Sequence, residues 1–179
     1  MVARENVTLE GFKEFVSRDE NVGRLFELIN GEIVEVMPGR TSNSQIHGII
    51  TATVRPFCKA HGIPCYTANA DGAFNVQGNA VAPDFAYKQT PMSNDYPDPI
   101  APIWAVEIIS PTDKVADIRK KREIYRSAQI LLWEVYPDER SIDVYVPGES
   151  LRTYGIEETI DLDNVIPGFS LSVRELFDI

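Results

Sequence analysis

Ile103-Trp104-Ala105-Val106-Glu107-Ile108-Ile109 is apolar on both of its alternating faces, with a single acid inside it. Ile103, Ala105 and Ile109 stand on one face, and Trp104, Val106 and Ile108 on the other. A strand covered on one side alternates apolar with polar. A run apolar on both sides predicts a central strand covered above and below. Ser110-Pro111 follows, a capping residue and a proline suited to a first helical position, so a helix is expected from there to about residue 127. Residues 130–136 and 141–146 then read as two strands joined by Pro137-Asp138-Glu139-Arg140.

Upstream, the loop 91–102 carries Pro91, Pro97, Pro99 and Pro102, and residues 65–70, 73–76 and 80–87 are short strand candidates. A helix is expected over 44–61, where Ile46, Ile49, Ile50, Thr53, Val54, Phe57 and Cys58 form one stripe. Pro56 should kink it or shorten its hydrogen-bond ladder, and Gly62 should stop it. Phe26-Glu27-Leu28-Ile29-Asn30-Gly31-Glu32-Ile33-Val34-Glu35-Val36 is a hairpin turning at Asn-Gly. Residues 8–19 form a short amphipathic helix that Thr8 can cap. The tail, 165–169 with Leu171 and 173–177, packs back on the core. This order predicts an α/β (α+β) fold with a mixed sheet.

The composition fits one domain over residues 1–179. Hydrophobic residues are 44% and charged residues 25%, which excludes a disordered or collagen-like chain. Lys+Arg is 17 against Asp+Glu 27, a net charge of −10, which argues against non-specific coating of nucleic acid. A local basic patch, or carboxylates holding a metal, remains compatible with it. No apolar run approaches the roughly 20 residues of a membrane helix. Met1-Val2-Ala3-Arg4-Glu5-Asn6 lacks the apolar core of a signal peptide. A cytoplasmic protein without membrane partners, with Cys58 and Cys65 as reduced thiols, is the expectation. No phosphate loop, Rossmann glycine pattern or nucleophile elbow is present.

Glu107 is the anomaly. A carboxylate buried alone is costly, so it calls for a cation, a lysine or arginine, or a metal. The plain alternative is that it sits at the strand end and reaches water. Asp84 follows Pro83, and proline marks strand starts and bulges, where the next side chain can be aimed into a cleft. Together the two acids form a candidate site for Mg²⁺, an ion held by one or two carboxylates. Lys121 shares a helix face with Ile118, Tyr125 and Ala128 and can point back to Glu107; it could equally snorkel, or form a simple structural ion pair, with Asp117 one turn earlier as one partner. Arg119, Lys120, Lys121, Arg122 and Arg126 form the dense basic cluster, read either as a phosphate contact or as a solvated face. In the hairpin, Ile29 should face Glu32 and Glu27 should face Val34. Both glutamates would then share one face, as auxiliary ligands or as a polar edge. His47 lies at the border of its helix stripe, where a histidine is commonly structural.

These pieces resemble the Uma2 family, formerly a domain of unknown function and similar to the PD-(D/E)XK nucleases. The resemblance rests on the hairpin Phe26 to Glu32, on His47, on Ala82-Pro83-Asp84 and on Val106-Glu107-Ile108-Ile109-Ser110-Pro111. It continues through Asp117, Lys121-Arg122-Glu123-Ile124-Tyr125, Trp133 and Ile166-Pro167-Gly168-Phe169. It implies a restriction endonuclease-like central mixed sheet flanked by helices, and an Mg²⁺- or Mn²⁺-dependent endonuclease acting on DNA, commonly as a homodimer. Asp84 matches the first acid and Glu107 the second. The lysine expected two residues later is Ile109 here, and Lys121 matches a lysine that family members carry on the following helix. The implied roles are Asp84, Glu107 and the Ile108 carbonyl on the metal, Lys121 in catalysis, and Glu27, Glu32 and His47 as auxiliaries. Arg119, Lys120 and Arg122 would contact DNA. A non-catalytic nucleic-acid or protein interaction module on the same scaffold is one alternative, and a plain structural fold in which Glu107 and Lys121 form an internal ion pair is another.

Overall fold

The computed structural model describes residues 6–178; the polar N-terminal stretch without a signal peptide's apolar core lies, except for Asn6, outside the described residues. In chain order the elements are α1 (Leu9–Val16), β1 (Leu25–Ile29), β2 (Glu32–Val36), α2 (Thr41–His61), β3 (Tyr66–Asn69), β4 (Phe74–Val76), β5 (Asn79–Val81) and β6 (Phe85–Lys88). They continue with β7 (Trp104–Ile108), α3 (Val115–Ser127), β8 (Leu131–Tyr136), β9 (Ser141–Tyr145), β10 (Arg152–Tyr154), β11 (Thr159–Asp161), β12 (Ser170–Ser172) and α4 (Val173–Phe177).

The main sheet runs β10-β9-β8-β7-β6-β3. β7 and β8 are parallel, with α3 as the crossover between them, and the other pairs are antiparallel. A second sheet, β2-β1-β5-β4, is antiparallel throughout. This is the expected mixed sheet flanked by helices. Among the described residues no helix is long and apolar enough to cross a membrane.

Period-two alternation of β7 sorts the core. Trp104, Val106 and Ile108 pack with Ile46, Ile50, Val54 and Cys58 of α2 on one face. Ala105 packs with Ala86, Leu132, Ile124 and Tyr125 on the face under α3. Glu107 shares parity with Ala105, so it too is delivered to the α3 face. The hairpin has the expected register, Ile29↔Glu32 and Glu27↔Val34. Asn30 and Gly31 take φ 50° and 77°, the left-handed pair that a two-residue turn between twisted strands requires.

Four elements depart from the sequence reading. Residues 80–87 are two strands in two sheets, β5 and β6. Pro83 has no N–H, and Ala82 N–H donates to Glu27 Oε1 (2.7 Å) instead of continuing a ladder. α3 begins at Val115, not at Ser110-Pro111. Ser110 is consumed by a turn of its own, with its N–H on Asp113 Oδ2 (2.7 Å) and its carbonyl accepting from Asp113 N–H (2.9 Å). Ile103 lies outside β7 and is 40% exposed. α2 passes through Pro56 as one helix from Thr41, and Gly62 closes it at φ 67°. The strands β10, β11 and β12 are too short, and too exposed on one side, to show a period in the sequence.

Candidate active site

Three elements bring acids to one place beneath α3. β7 delivers Glu107 through its alternation. The break between β5 and β6 delivers Asp84, whose Oδ2 accepts the Ile108 N–H at 2.7 Å. β1 delivers Glu27, which is 6% exposed and fixed by the Ala82 N–H. Lys121 of α3 stands among them. Its Nζ lies 2.8 Å from Glu107 Oε1 and from Oε2, and 3.1 Å from Glu27 Oε1. Tyr125, one turn further along α3, donates its hydroxyl to Glu107 Oε1 at 2.7 Å.

Of the alternatives for these residues, the internal ion pair is present: Lys121 pairs with Glu107. Glu107 is the penultimate residue of β7, and its side chain, 13% exposed, is held by two residues of α3. Lys121 does not pair with Asp117; that acid lies 3.7 Å from Lys120 instead. Glu27 and Glu32 split. Glu27 is a buried member of the cluster, while Glu32 is the exposed polar edge and pairs with Lys120 at 2.9 Å. His47 is half-buried on α2, close enough to Asp84 to favour its charged form, and its buried Nδ1 has no hydrogen-bond partner among the described residues. Ile108 meets Asp84 through its N–H. Arg119 is exposed and makes no ion pair among the described residues. Arg122, expected among the DNA contacts, is 25% exposed and engaged by an acid of the sheet. Its guanidinium forks onto Glu134, with Nε to Oε1 at 2.9 Å and Nη2 to Oε2 at 2.6 Å.

The electrostatics follow from three acids sharing one ammonium. Burial, then the charges of Asp84 and Glu27, push the Glu107 carboxyl up to about 8 against the pull of Lys121. Burial also raises Asp84, which the Ile108 N–H, Lys121 and His47 partly offset. Burial works against the Lys121 ammonium, yet Glu107, Glu27 and Asp84 outweigh it and hold the lysine charged. Burial and the same carboxylates raise the Tyr125 phenol well above its usual value.

The site suits a hard divalent cation in its donor chemistry. Carboxylate oxygens are what Mg²⁺ prefers, and the surplus negative charge that raises Glu107 is what a second cation would relieve. The acids do not form a ready cage, for among the described residues no group of three or more His, Cys, Asp or Glu is disposed to hold a metal. Lys121 occupies the position between Glu107 and Glu27. Tyr125 and Glu134 were not singled out in the sequence. Tyr125 carried a signal, since it lies four residues from Lys121 on the same stripe. Glu134, inside Leu132-Trp133-Glu134-Val135, repeated the anomaly of Glu107 in a second central strand.

The protein is thus a mixed sheet with a parallel central pair and helices on both faces, with Asp84, Glu107 and Lys121 gathered under the crossover helix. Residues 12–174 match Uma2, described as "Putative restriction endonuclease", and the chain belongs to that family. It is also similar to a solved structure from Anabaena variabilis ATCC 29413, titled as a putative nuclease belonging to DUF820. That match has a TM-score of 0.73 at 19% identity, over 96% of this chain and 98% of that one, and it shows a shared fold. No curated protein matches the chain.

Proposed function

We propose that the chain is a divalent-metal-dependent endonuclease that hydrolyses DNA phosphodiester bonds, with a homodimer as the form suited to cutting both strands. The observation that carries this reading is the convergence of Asp84, Glu107 and Lys121, from the β5–β6 break, β7 and α3, on one half-buried point. Asp84, Glu107 and the main-chain carbonyl of Ile108 would hold Mg²⁺ or Mn²⁺. Such an ion supplies Lewis-acid chemistry to the phosphate and to the attacking water. Glu27 is a third acid at hand. Lys121 keeps its proton and offers its ammonium to negative charge building on the phosphate. Tyr125 fixes the rotation of the Glu107 carboxylate. His47 stands beside Asp84 as the auxiliary candidate for a phosphate contact. Arg119 and Lys120 put positive charge on the outer side of α3, where a DNA backbone would pass.

The test is supercoiled plasmid with Mg²⁺ or Mn²⁺, wild type beside Asp84→Asn. Metal-dependent nicking or linearisation by the wild type alone is the expected result. Equal cutting by both proteins would overturn the assignment of Asp84. A non-catalytic interaction module is the second reading, and the closed contact of Lys121 with both oxygens of Glu107 favours it. Binding of a labelled duplex without cleavage under either metal would select that reading.

A further inference from the structure

Beside the cluster just described lies a second buried charged group that the proposed reaction does not use. Glu134 is 1% exposed and sits in β8 directly opposite Glu107 in the parallel register of β7 and β8. Its carboxylate receives both the Nε and Nη2 of Arg122, the Tyr136 hydroxyl at 2.9 Å and the Tyr145 hydroxyl at 3.4 Å. The Arg122 guanidinium also lies over the Tyr145 ring, 5.0 Å from its centroid. Two adjacent strands thus present two carboxylates at one level, and two consecutive residues of α3, Lys121 and Arg122, each take one of them.

A buried ion pair of this kind is seldom the most stabilising solution, since apolar residues of equal volume often serve as well or better. What it adds is geometry. A planar fork meeting a carboxylate through two parallel bonds tolerates little rotation. α3 needs such a device. Of its residues only Ile124 and Tyr125 are buried, both in its second half, so apolar packing leaves the middle of the helix loosely held. The contacts of Lys121 and Tyr125 both end on Glu107 and hold α3 at one point of the sheet. Two contacts about 100° apart around its axis fix its rotation as well.

We propose that Arg122 and Glu134 are positioning residues: their buried pair sets the rotation of α3 on the sheet and so keeps Lys121 on Glu107. For catalysis this rests on the nuclease reading above; the placement of Lys121 does not.

The experiment uses Arg122→Met/Glu134→Leu, which removes both charges at similar volume and avoids the unpaired buried carboxylate that would unfold Arg122→Met alone. Folding is checked by circular dichroism and thermal melting. The first readout is acylation of Lys121 by an amine reagent, quantified by peptide mass spectrometry, with Lys59 as internal reference. Labelling of Lys121 should rise at least tenfold in the folded double variant while Lys59 is unchanged. Unaltered protection of Lys121 in a folded double variant would overturn the proposal. The second readout is plasmid cleavage, where kcat should fall at least tenfold with KM for DNA unchanged. A raised KM with kcat preserved would instead make Arg122 a DNA contact and overturn the proposal. Absence of cleavage by the wild type counts against the nuclease reading alone, and the labelling result then decides the positioning role.

Discussion

The Lys121 ammonium lies 2.8 Å from both carboxylate oxygens of Glu107, joining the crossover helix to the central strand. Two further contacts converge on that pair. Glu27 approaches the same nitrogen from the second sheet at 3.1 Å, and Tyr125 caps Glu107 from the same helix. Removing Lys121 would leave three acids with no ammonium among them. Lys121→Met should therefore cost about 3–5 kcal/mol at neutral pH, the range found when one partner of a buried pair is deleted. Urea unfolding at pH 7 measures it. A loss below about 1 kcal/mol would mean that the acids reach solvent on their own.

The same cluster predicts an unusual pH dependence. The Glu107 carboxyl is raised from 4.5 to about 8 in the folded chain, and Asp84 is raised as well. A carboxyl with a raised folded value binds its proton more tightly folded than unfolded. Its contribution is complete below the unfolded value and is lost as pH climbs through the folded one. In chelator-treated buffer, stability should fall between pH 4.5 and about 8, with a limiting slope of about 1.4 kcal/mol per pH unit for this group. Glu107→Gln should flatten that slope. A slope of the same size in the variant would assign the effect to other groups.

Added cation should reverse that loss if the cluster takes a metal. A ligand bound only by the folded state stabilises it by about 2.7 kcal/mol at one hundred times its Kd. Melting of the wild type with increasing Mn²⁺ should show a saturating rise, and Asp84→Asn and Glu107→Gln should each abolish it. An identical rise in all three proteins would locate the ion elsewhere on this acidic chain.

Much of the fold was legible because its signals are local and periodic. The two-sided apolar run marked β7, the Asn-Gly turn set the hairpin register, and the stripe of α2 needed only Gly62 to end it. The same periodicity placed Lys121 on the face that meets Glu107. What stayed hidden depends on contacts distant in the chain. Nothing near Glu27 shows that Ala82, 55 positions away, will hold it inside. Nothing near Arg122 shows that its partner is a buried acid in the next strand rather than solvent or a phosphate. Ser110-Pro111 had the composition of a helix start, yet Asp113 competed successfully for its backbone.

Cleavage by single variants separates the site from its surroundings. Asp84→Asn, Glu107→Gln and Lys121→Ala should each lower the rate of metal-dependent plasmid cutting by about a hundredfold or more, the scale of losing one preorganised electrostatic group. Lys120→Ala, which removes an exposed pair with Glu32, should leave kcat within about threefold and act through salt-dependent DNA affinity. Unchanged cutting in any two of the first three would remove the cluster from the reaction.

Lys88 and Asp98 offer a test of how the proline-rich loop is held. Lys88 is 1% exposed at the end of β6, and its Nζ meets Asp98 Oδ2 at 2.6 Å. Burial would raise the Asp98 carboxyl, but Lys88 and the N–H groups of Ser93 and Ile100 outweigh it and hold it below its ordinary value. That acid thus gathers the loop around itself, and its own backbone bonds to Ala73 and Asn75. Lys88→Met should cost about 3–5 kcal/mol, because it strands a desolvated carboxylate. Lys88→Met/Asp98→Leu should recover most of that loss in global stability. Hydrogen exchange in the loop should nevertheless stay fast in the double variant, since the N–H groups of Ser93 and Ile100 lose their acceptor. Slow exchange there would show that the prolines and the two backbone bonds hold the loop without the ion pair.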